Sequence, residues 1–429
     1  MHPVLRSLPL ILLLMSFLPP SAHAQEDANY DEDQVPEYTL PDPLVLEDGT
    51  PVENADVWQN QRRPELVRLF EENVYGKAPE PPEGMRFEVT SEDTAALGGM
   101  ATRRQVTIHF SDETDGPKLD VLLYVPNRAP HPVPAFVGLN FGGNHTIHPD
   151  TGIALARPWS SEQEGDDAPS YQPTEADRGR GANRWPVERI LARGYALATA
   201  YYGDLDPDYD DGFQNGVQPL FYEEGQTSPK EDEWGSVAAW AWGLSRILDY
   251  LETDPDVDAE RVAVIGHSRL GKAAVWAGAR DERFALVVSN DSGAGGAALS
   301  RRQFGERVAN LNDRFPHWFS DTFARYNDNE AELPVDQHEL VALVAPRPVY
   351  IASAEGDQWA DPRGEFLSGL HATPVYRLLG TDGLPADTMP EVNRPVLDGT
   401  IGYHIRTGGH DITTYDWDQY LNFADRHLR

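Results

Sequence analysis

The chain reads as an α/β protein, a three-layer αβα sandwich with a mostly parallel sheet. Three observations predict this. Short β-branched apolar runs alternate with helical stretches from residue 185 onward, the pattern of strand-helix-strand crossovers. The run VAVIGHSRLGKAA, Val262 to Ala274, joins a continuous apolar strand directly to a helix start rich in small residues. The 429 residues are 40% hydrophobic and include no cysteine, so stability has to come from a large core rather than from disulfides.

The N-terminal stretch has a basic start at His2 and Arg6, an apolar run from Leu8 to Leu18 and the small-x-small sequence Ala22-His23-Ala24. It predicts a signal peptide, residues 1–24, cut before Gln25, and hence an exported protein, periplasmic or extracellular, with no membrane anchor. Residues 25–55 are acidic and proline-rich without periodicity, which predicts an extended or partly disordered arm before a catalytic domain at 56–429. Asn54 to Tyr75 reads as a helix: Asn54 can cap it, and Trp58, Leu66, Leu69, Phe70 and Val74 share one face.

Alternation at Phe87–Thr90 and Gln105–Phe110 predicts antiparallel strands, and the more continuous runs Leu119–Val125, Ala135–Leu139 and Ala196–Tyr201 predict buried ones. The segment Asn144–Ala182 is full of Gly, Pro and charge. It is too long for a plain connector, so it is expected to build part of the active-site rim. Helices follow at Trp185–Ala192, Trp234–Tyr250 and Leu270–Ala279, strands at Val262–Ile265, Phe284–Ser289 and Val349–Ser353, and a last helix after residue 410.

Acidic residues outnumber basic ones 70 to 35, a balance that disfavours nucleic-acid binding. No phosphate loop or dinucleotide fingerprint is present, so no cofactor is expected. His145 and His148 have ligand-like spacing, but no HExxH or carboxylate-rich turn accompanies them, and no metal is expected.

Ser268 lies at the corner between strand and helix, where Gly266 and Gly271 permit tight backbone packing; the spacing is GxSxxG rather than the usual GxSxG. Such a turn exposes the hydroxyl at the top of the sheet and aims helix N-terminal N–H groups at a developing oxyanion. A serine hydroxyl needs a base, and the base an orienting acid. In chain order nucleophile, acid, base, His410 in TGGHDITTYD fits the base, with His404 a weaker choice. Two carboxylates compete for the acid: Asp357, directly after Val349–Ser353, is favoured, and Asp291, directly after Phe284–Ser289, is kept as assistant or substitute. An aspartate after a strand is also a common turn or cap residue. Arg269 follows the serine and offers a backbone N–H and a guanidinium to the oxyanion, while LNFGGNHT, Leu139 to Thr146, stands where lipases place a glycine-rich oxyanion loop.

With these motifs in hand, the chain resembles the glucuronoyl esterases, carbohydrate esterase family 15. GHSRLGKAA, SNDSGAGGAALSRR at 289–302, WGSVAAWAWGLSRILDYLETD at 234–254, FPHWF at 315–319, DQWADPRGEF at 357–366 and GGH at 408–410 carry the resemblance over residues 50–429. The resemblance implies an α/β-hydrolase fold and hydrolysis of esters of (4-O-methyl)-glucuronic acid that link glucuronoxylan to lignin alcohols. It also implies roles: Ser268 nucleophile, His410 base, Arg269 oxyanion arginine, Lys272 and Glu306 binding sugar hydroxyls, and Trp359 lining the uronate pocket. Asp291 stands where fungal members place the acid and Asp357 where many bacterial members do. His267 replaces a cysteine of fungal members, which fits a bacterial exported enzyme. The partner expected is the glucuronoxylan or lignin-carbohydrate ester, with the protein acting as a monomer. The alternatives are an acetyl or feruloyl esterase of the same fold and a non-catalytic carbohydrate-binding relative.

Overall fold

The computed structural model describes residues 28–113, 116–160 and 169–429. The expected signal peptide lies outside them. Nine strands form one sheet: β1 (Arg86–Ala95), β2 (Ala101–His109), β3 (Lys118–Pro126), β4 (Val133–Asn140), β5 (Ala196–Tyr201), β6 (Val257–His267), β7 (Leu286–Asn290), β8 (Val349–Ala354) and β9 (Ile401–Arg406). Their order is β1-β2-β3-β5-β4-β6-β7-β8-β9. The first three strands and the β3/β5 junction are antiparallel, and every pair from β5 to β9 is parallel. The α/β-hydrolase architecture expected from the alternation is the one observed.

The helices are α1 (55–75), α2 (Val187–Ala192), α3 (Ser236–Leu251), α4 (Arg269–Arg280), α5 (Val308–Arg314), α6 (Gln337–Ala342), α7 (Pro362–Leu378) and α8 (Thr414–His427). Asn54 caps α1 by accepting from the Val57 N–H at 3.0 Å, and two of its turns, Trp58–Arg62 and Glu71–Tyr75, are π-helical. Alternation along the central strands separates two apolar layers. Val262 and Val264 pack with α1, α3, α4, α6 and α7, whereas Ala263 and Ile265 pack with α2 and α8. That two-sided burial explains why these strands read as unbroken apolar runs.

Helices α5, α6 and α7 are additional to those expected. Gly364, Gly369 and Pro374 interrupt the helical signal of α7, yet Asp361 caps it by accepting from the Gly364 N–H at 2.9 Å and Pro362 occupies its first position. The described part of the arm, residues 28–55, is mostly extended and fastened to the rest of the fold. Asn29 O accepts from Gly305 N, Glu32 pairs with Arg302 and Arg363, and Pro41 O accepts from the His338 ring. Within Asn144–Ala182, Trp159–Ser160 and Ser170–Tyr171 pair as a short hairpin. Among the described residues no helix is long and apolar enough to cross a membrane.

Candidate active site

The ends of β6, β7, β8 and β9 converge on one pocket of about 390 Å³, within the ordinary range for ligand sites. Its floor is the turn from β6 into α4. Ser268 takes φ 59° and ψ −133°, a conformation few L-residues adopt. Its N–H donates to Asn290 O at 2.9 Å, and its carbonyl accepts from Gly271 N at 2.8 Å. A Cβ on Gly266 would fall 1.9 Å from the Leu270 carbonyl oxygen. The close approach therefore occurs at Gly266 against Leu270, and the second glycine stands where α4 packs beside β7, where a Cβ on Gly271 would lie 3.2 Å from Asn290 O.

The His410 ring accepts at Nε2 from the Ser268 hydroxyl over 2.8 Å and donates from Nδ1 to Asp357 Oδ2 over 2.6 Å. The Asp357 bond fixes the tautomer that leaves Nε2 free to take a proton. The histidine loop is braced from β9. Arg406 donates to the carbonyls of Gly409, at 3.1 Å, and of Asp411, and its guanidinium pairs with Asp416 at the start of α8. Gly356 N donates to Gly408 O at 2.8 Å, which ties the Asp357 turn to the His410 loop. His404 is fully buried between Tyr350 Oη and Asp416, both at 2.9 Å, so neither ring nitrogen is left for Ser268.

Asp291 is close but differently engaged. Its Oδ2 accepts from Arg406 Nη2 at 3.3 Å and from Asp411 N at 3.4 Å, and it makes no hydrogen bond to His410. Burial first, and then the Asp357 charge, push its carboxyl well above the usual range. Ligand atoms of Asp291, Asp357 and His410 lie within 4.8 Å of one another, but the His410 and Asp357 atoms already serve each other and Ser268. The donor set is that of a proton relay. His145 and His148 do not come together on a shared site, since His148 pairs with Glu188.

Arg269 is the first residue of α4, where backbone N–H groups lack intrahelical partners. Its guanidinium lies 4.7 Å from the Phe141 ring centroid and pairs with Asp208 Oδ2 at 2.7 Å. Asp208 also accepts from His317 Nε2 at 3.0 Å and Trp318 Nε1 at 2.7 Å. Although burial opposes it, the Arg269 charge and these donors hold the Asp208 carboxyl well below its usual range. Phe141, from the LNFGGNHT run, lines the pocket, and the Gly142 carbonyl is taken by Tyr171 Oη at 2.6 Å. The described part of Asn144–Ala182 touches this loop from behind and does not itself line the Ser268 pocket; Thr146, Arg180 and Gly181 line a smaller one beside it.

Lys272, Glu306 and Trp359 meet at the same pocket. Glu306 accepts from Lys272 Nζ at 2.8 Å and from Trp359 Nε1 at 3.1 Å, while Glu306 N donates to Trp359 O at 2.8 Å. Sequence reasoning missed the supports of the site. Asp208 and Arg406 are two of them. Glu365 on α7 is a third, accepting from Ser292 N, Gly293 N and Ser353 Oγ, and so it fixes the ends of β7 and β8 together.

The comparisons with known proteins agree with this geometry. A family profile described as "Glucuronyl esterase, fungi" matches residues 217–380. A carbohydrate esterase from an unknown prokaryotic organism is 52% identical over 410 residues, 95% of this chain and 94% of that protein. The solved glucuronoyl esterase of Solibacter usitatus is 53% identical, with a TM-score of 0.88 over 92% of this chain and 100% of that one. The chain belongs to the glucuronoyl esterase family. As a member of carbohydrate esterase family 15 it is also 29% identical, over 80% of its length and 74% of the relative's, to a 4-O-methyl-glucuronoyl methylesterase of Schizophyllum commune. It is an esterase.

Proposed function

We propose that this esterase hydrolyses esters of (4-O-methyl)-D-glucuronic acid that join glucuronoxylan to lignin alcohols, through a glucuronoyl-serine intermediate. The observation that supports this most is the relay Asp357-His410-Ser268 opening into the pocket that also holds Lys272, Glu306 and Trp359. Ser268 Oγ attacks the uronoyl carbonyl as His410 Nε2 takes its proton, and the carbonyl oxygen becomes the oxyanion. Asp357 stabilises the imidazolium. His410 returns the proton to the leaving alcohol, and water, activated by the same nitrogen, then releases glucuronate and regenerates Ser268.

The substrate is a neutral ester, so Arg269 acts on the oxyanion rather than on a carboxylate of the incoming substrate; one such donor contributes about 100 to 1000-fold in rate. Asp291 stands by as a second acid, buried behind the first. Lys272 and Glu306 hold ring hydroxyls, and Trp359 forms an apolar wall. The reading includes an exported monomer with the signal peptide at 1–24, the arm at 25–55 and the catalytic domain at 56–429.

The test compares kcat/KM for benzyl glucuronate with that for acetylated xylan and a feruloyl ester, in native protein and in Lys272→Ala and Glu306→Ala. Selective loss on the glucuronate ester supports the assignment. Equal losses on all three esters would replace it with a general carbohydrate esterase.

A further inference from the structure

The cations lining the pocket are matched by carboxylates, with one exception. Arg269 pairs with Asp208, Lys272 with Glu306 and Arg184 with Asp411. Arg314, the last residue of α5, also lines the pocket, yet among the described residues its side chain has no ion-pair or hydrogen-bond partner. Its Nη1 is buried from solvent and unbonded. In a chain with 70 acidic residues against 35 basic ones, a guanidinium without a carboxylate is not a shortage of partners. Leaving a charged donor group without an acceptor is costly, and the guanidinium as a whole is half-buried on the pocket wall, where a ligand can meet the part that Nη1 does not occupy.

The surroundings say which ligand chemistry fits. The Arg314 guanidinium sits 5.1 Å from the Phe315 ring centroid and 5.8 Å from that of Trp359. Phe315 is in turn stacked on Trp318, with centroids 3.8 Å apart and planes 5° from parallel. Trp359 is the residue whose indole N–H binds Glu306. The cation is therefore held by aromatic faces on the side of the pocket that carries Lys272, Glu306 and Trp359, with the pocket-lining part of its half-buried guanidinium left for an acceptor. Apolar faces flanking a fork of donors suit a sugar ring and its oxygens.

We infer that Arg314 is a specificity-determining residue whose guanidinium donates to an acceptor oxygen of the bound glycone. This rests on the glucuronate-ester reading for the identity of the glycone. The acceptor belongs either to the uronosyl ring itself or to the xylosyl unit that carries it, the same neutral oxygen chemistry in both cases. Arg314 takes no part in proton transfer, so its loss acts on binding rather than on the chemical step.

The experiment uses Arg314→Gln and Arg314→Lys in the full chain, with three esters: benzyl glucuronate, the same ester borne on a xylo-oligosaccharide, and p-nitrophenyl acetate, which has no glycone. Arg314→Gln should raise KM about 10 to 100-fold for a glycone ester at nearly constant kcat, leave p-nitrophenyl acetate unchanged, and be partly rescued in Arg314→Lys. A loss confined to the oligosaccharide ester assigns the xylosyl oxygen, and a loss on both assigns the uronosyl one. Unchanged KM for both glycone esters, or an equal loss on p-nitrophenyl acetate, would overturn the inference. Calorimetric binding of a glucuronoxylo-oligosaccharide to Ser268→Ala, with and without Arg314→Gln, reads the contact without turnover. If the native enzyme leaves glucuronate esters intact, the functional reading fails, while an affinity difference still upholds the contact and equal affinity still refutes it.

Discussion

Asp357 and Asp291 compete for one role, and their contacts predict how the competition resolves. Asp357 holds His410 Nδ1 at 2.6 Å and is only 6% exposed, so Asp357→Ala removes the group that sets the tautomer and balances the imidazolium. In a serine triad that loss lowers kcat by about 10⁴, or about 5 kcal/mol of barrier. Here the full loss is not expected, because Asp291 lies within 4.8 Å of the same cluster and burial and the Asp357 charge push its carboxyl well above the usual range. Removing that charge favours ionisation of Asp291 beside His410. The prediction is therefore a fall of about 10²-fold for Asp357→Ala, less than about threefold for Asp291→Ala, and about 10⁴ for the double variant, more than the product of the two single losses. The assay is steady-state hydrolysis of benzyl glucuronate near neutral pH, with kcat as the readout. A collapse in Asp291→Ala alongside a nearly native Asp357→Ala would refute the reasoning, as would strictly multiplicative effects in the double variant.

Asp208→Asn should lower kcat about 10 to 100-fold by loosening Arg269, and should cost nothing further in an Arg269→Gln background; additive losses would show that Asp208 does not act through the arginine. Gly266→Ala sets a Cβ against the Leu270 carbonyl, so it should lower stability by about 3 kcal/mol or more and abolish labelling of Ser268 by a phosphonate. A normally folded, labelled variant would contradict the description of the turn. His338 is 1% exposed, its ring donates to Pro41 O, and burial pulls its pKa down to about 4. Between pH 6.5 and 4 the unfolded chain binds the proton that the folded one refuses, so stability falls as pH falls across that window, by about 3 kcal/mol in all. Urea melts at pH 7 and 4.5 should show a smaller difference for His338→Gln than for the native chain; equal differences would exclude this histidine as the cause.

Legibility in the sequence followed how local each determinant is. The β6 and β5 strands are continuous apolar runs because both their faces are covered, and Ala196–Tyr201 is read with its observed ends. The capped helix at 54–75 and the serine turn carry their signals within a few residues. Helix α7 was hidden because Gly364, Gly369 and Pro374 lower its propensity, and packing of residues such as Phe366, Val375 and Tyr376 into the core overrides them. Strand β9 is absent from the expected strands, and its His404 sits between Tyr350 and Asp416 through purely tertiary contacts. The candidate nucleophile, base and acids stand at loop positions that chain order and glycine spacing mark. Asp208, Arg406, Glu365 and Arg314 carry no such mark: Asp208 matters through Arg269, Glu365 through the strand ends at Ser292 and Ser353, Arg406 through Asp416 and the loop carbonyls of Gly409 and Asp411, and Arg314 through a missing partner, none of which a local pattern announces.

The most direct test of the account is whether glucuronate is carried on Ser268. Native protein and Ser268→Ala are each mixed with benzyl glucuronate, quenched in acid and examined by peptide mass spectrometry while free glucuronate is followed. The account predicts glucuronate release and a glucuronoyl adduct on the Ser268 peptide in native protein, with neither in the variant. Undiminished glucuronate release by Ser268→Ala would contradict it, and so would a native protein that deacetylates xylan but leaves the glucuronate ester intact.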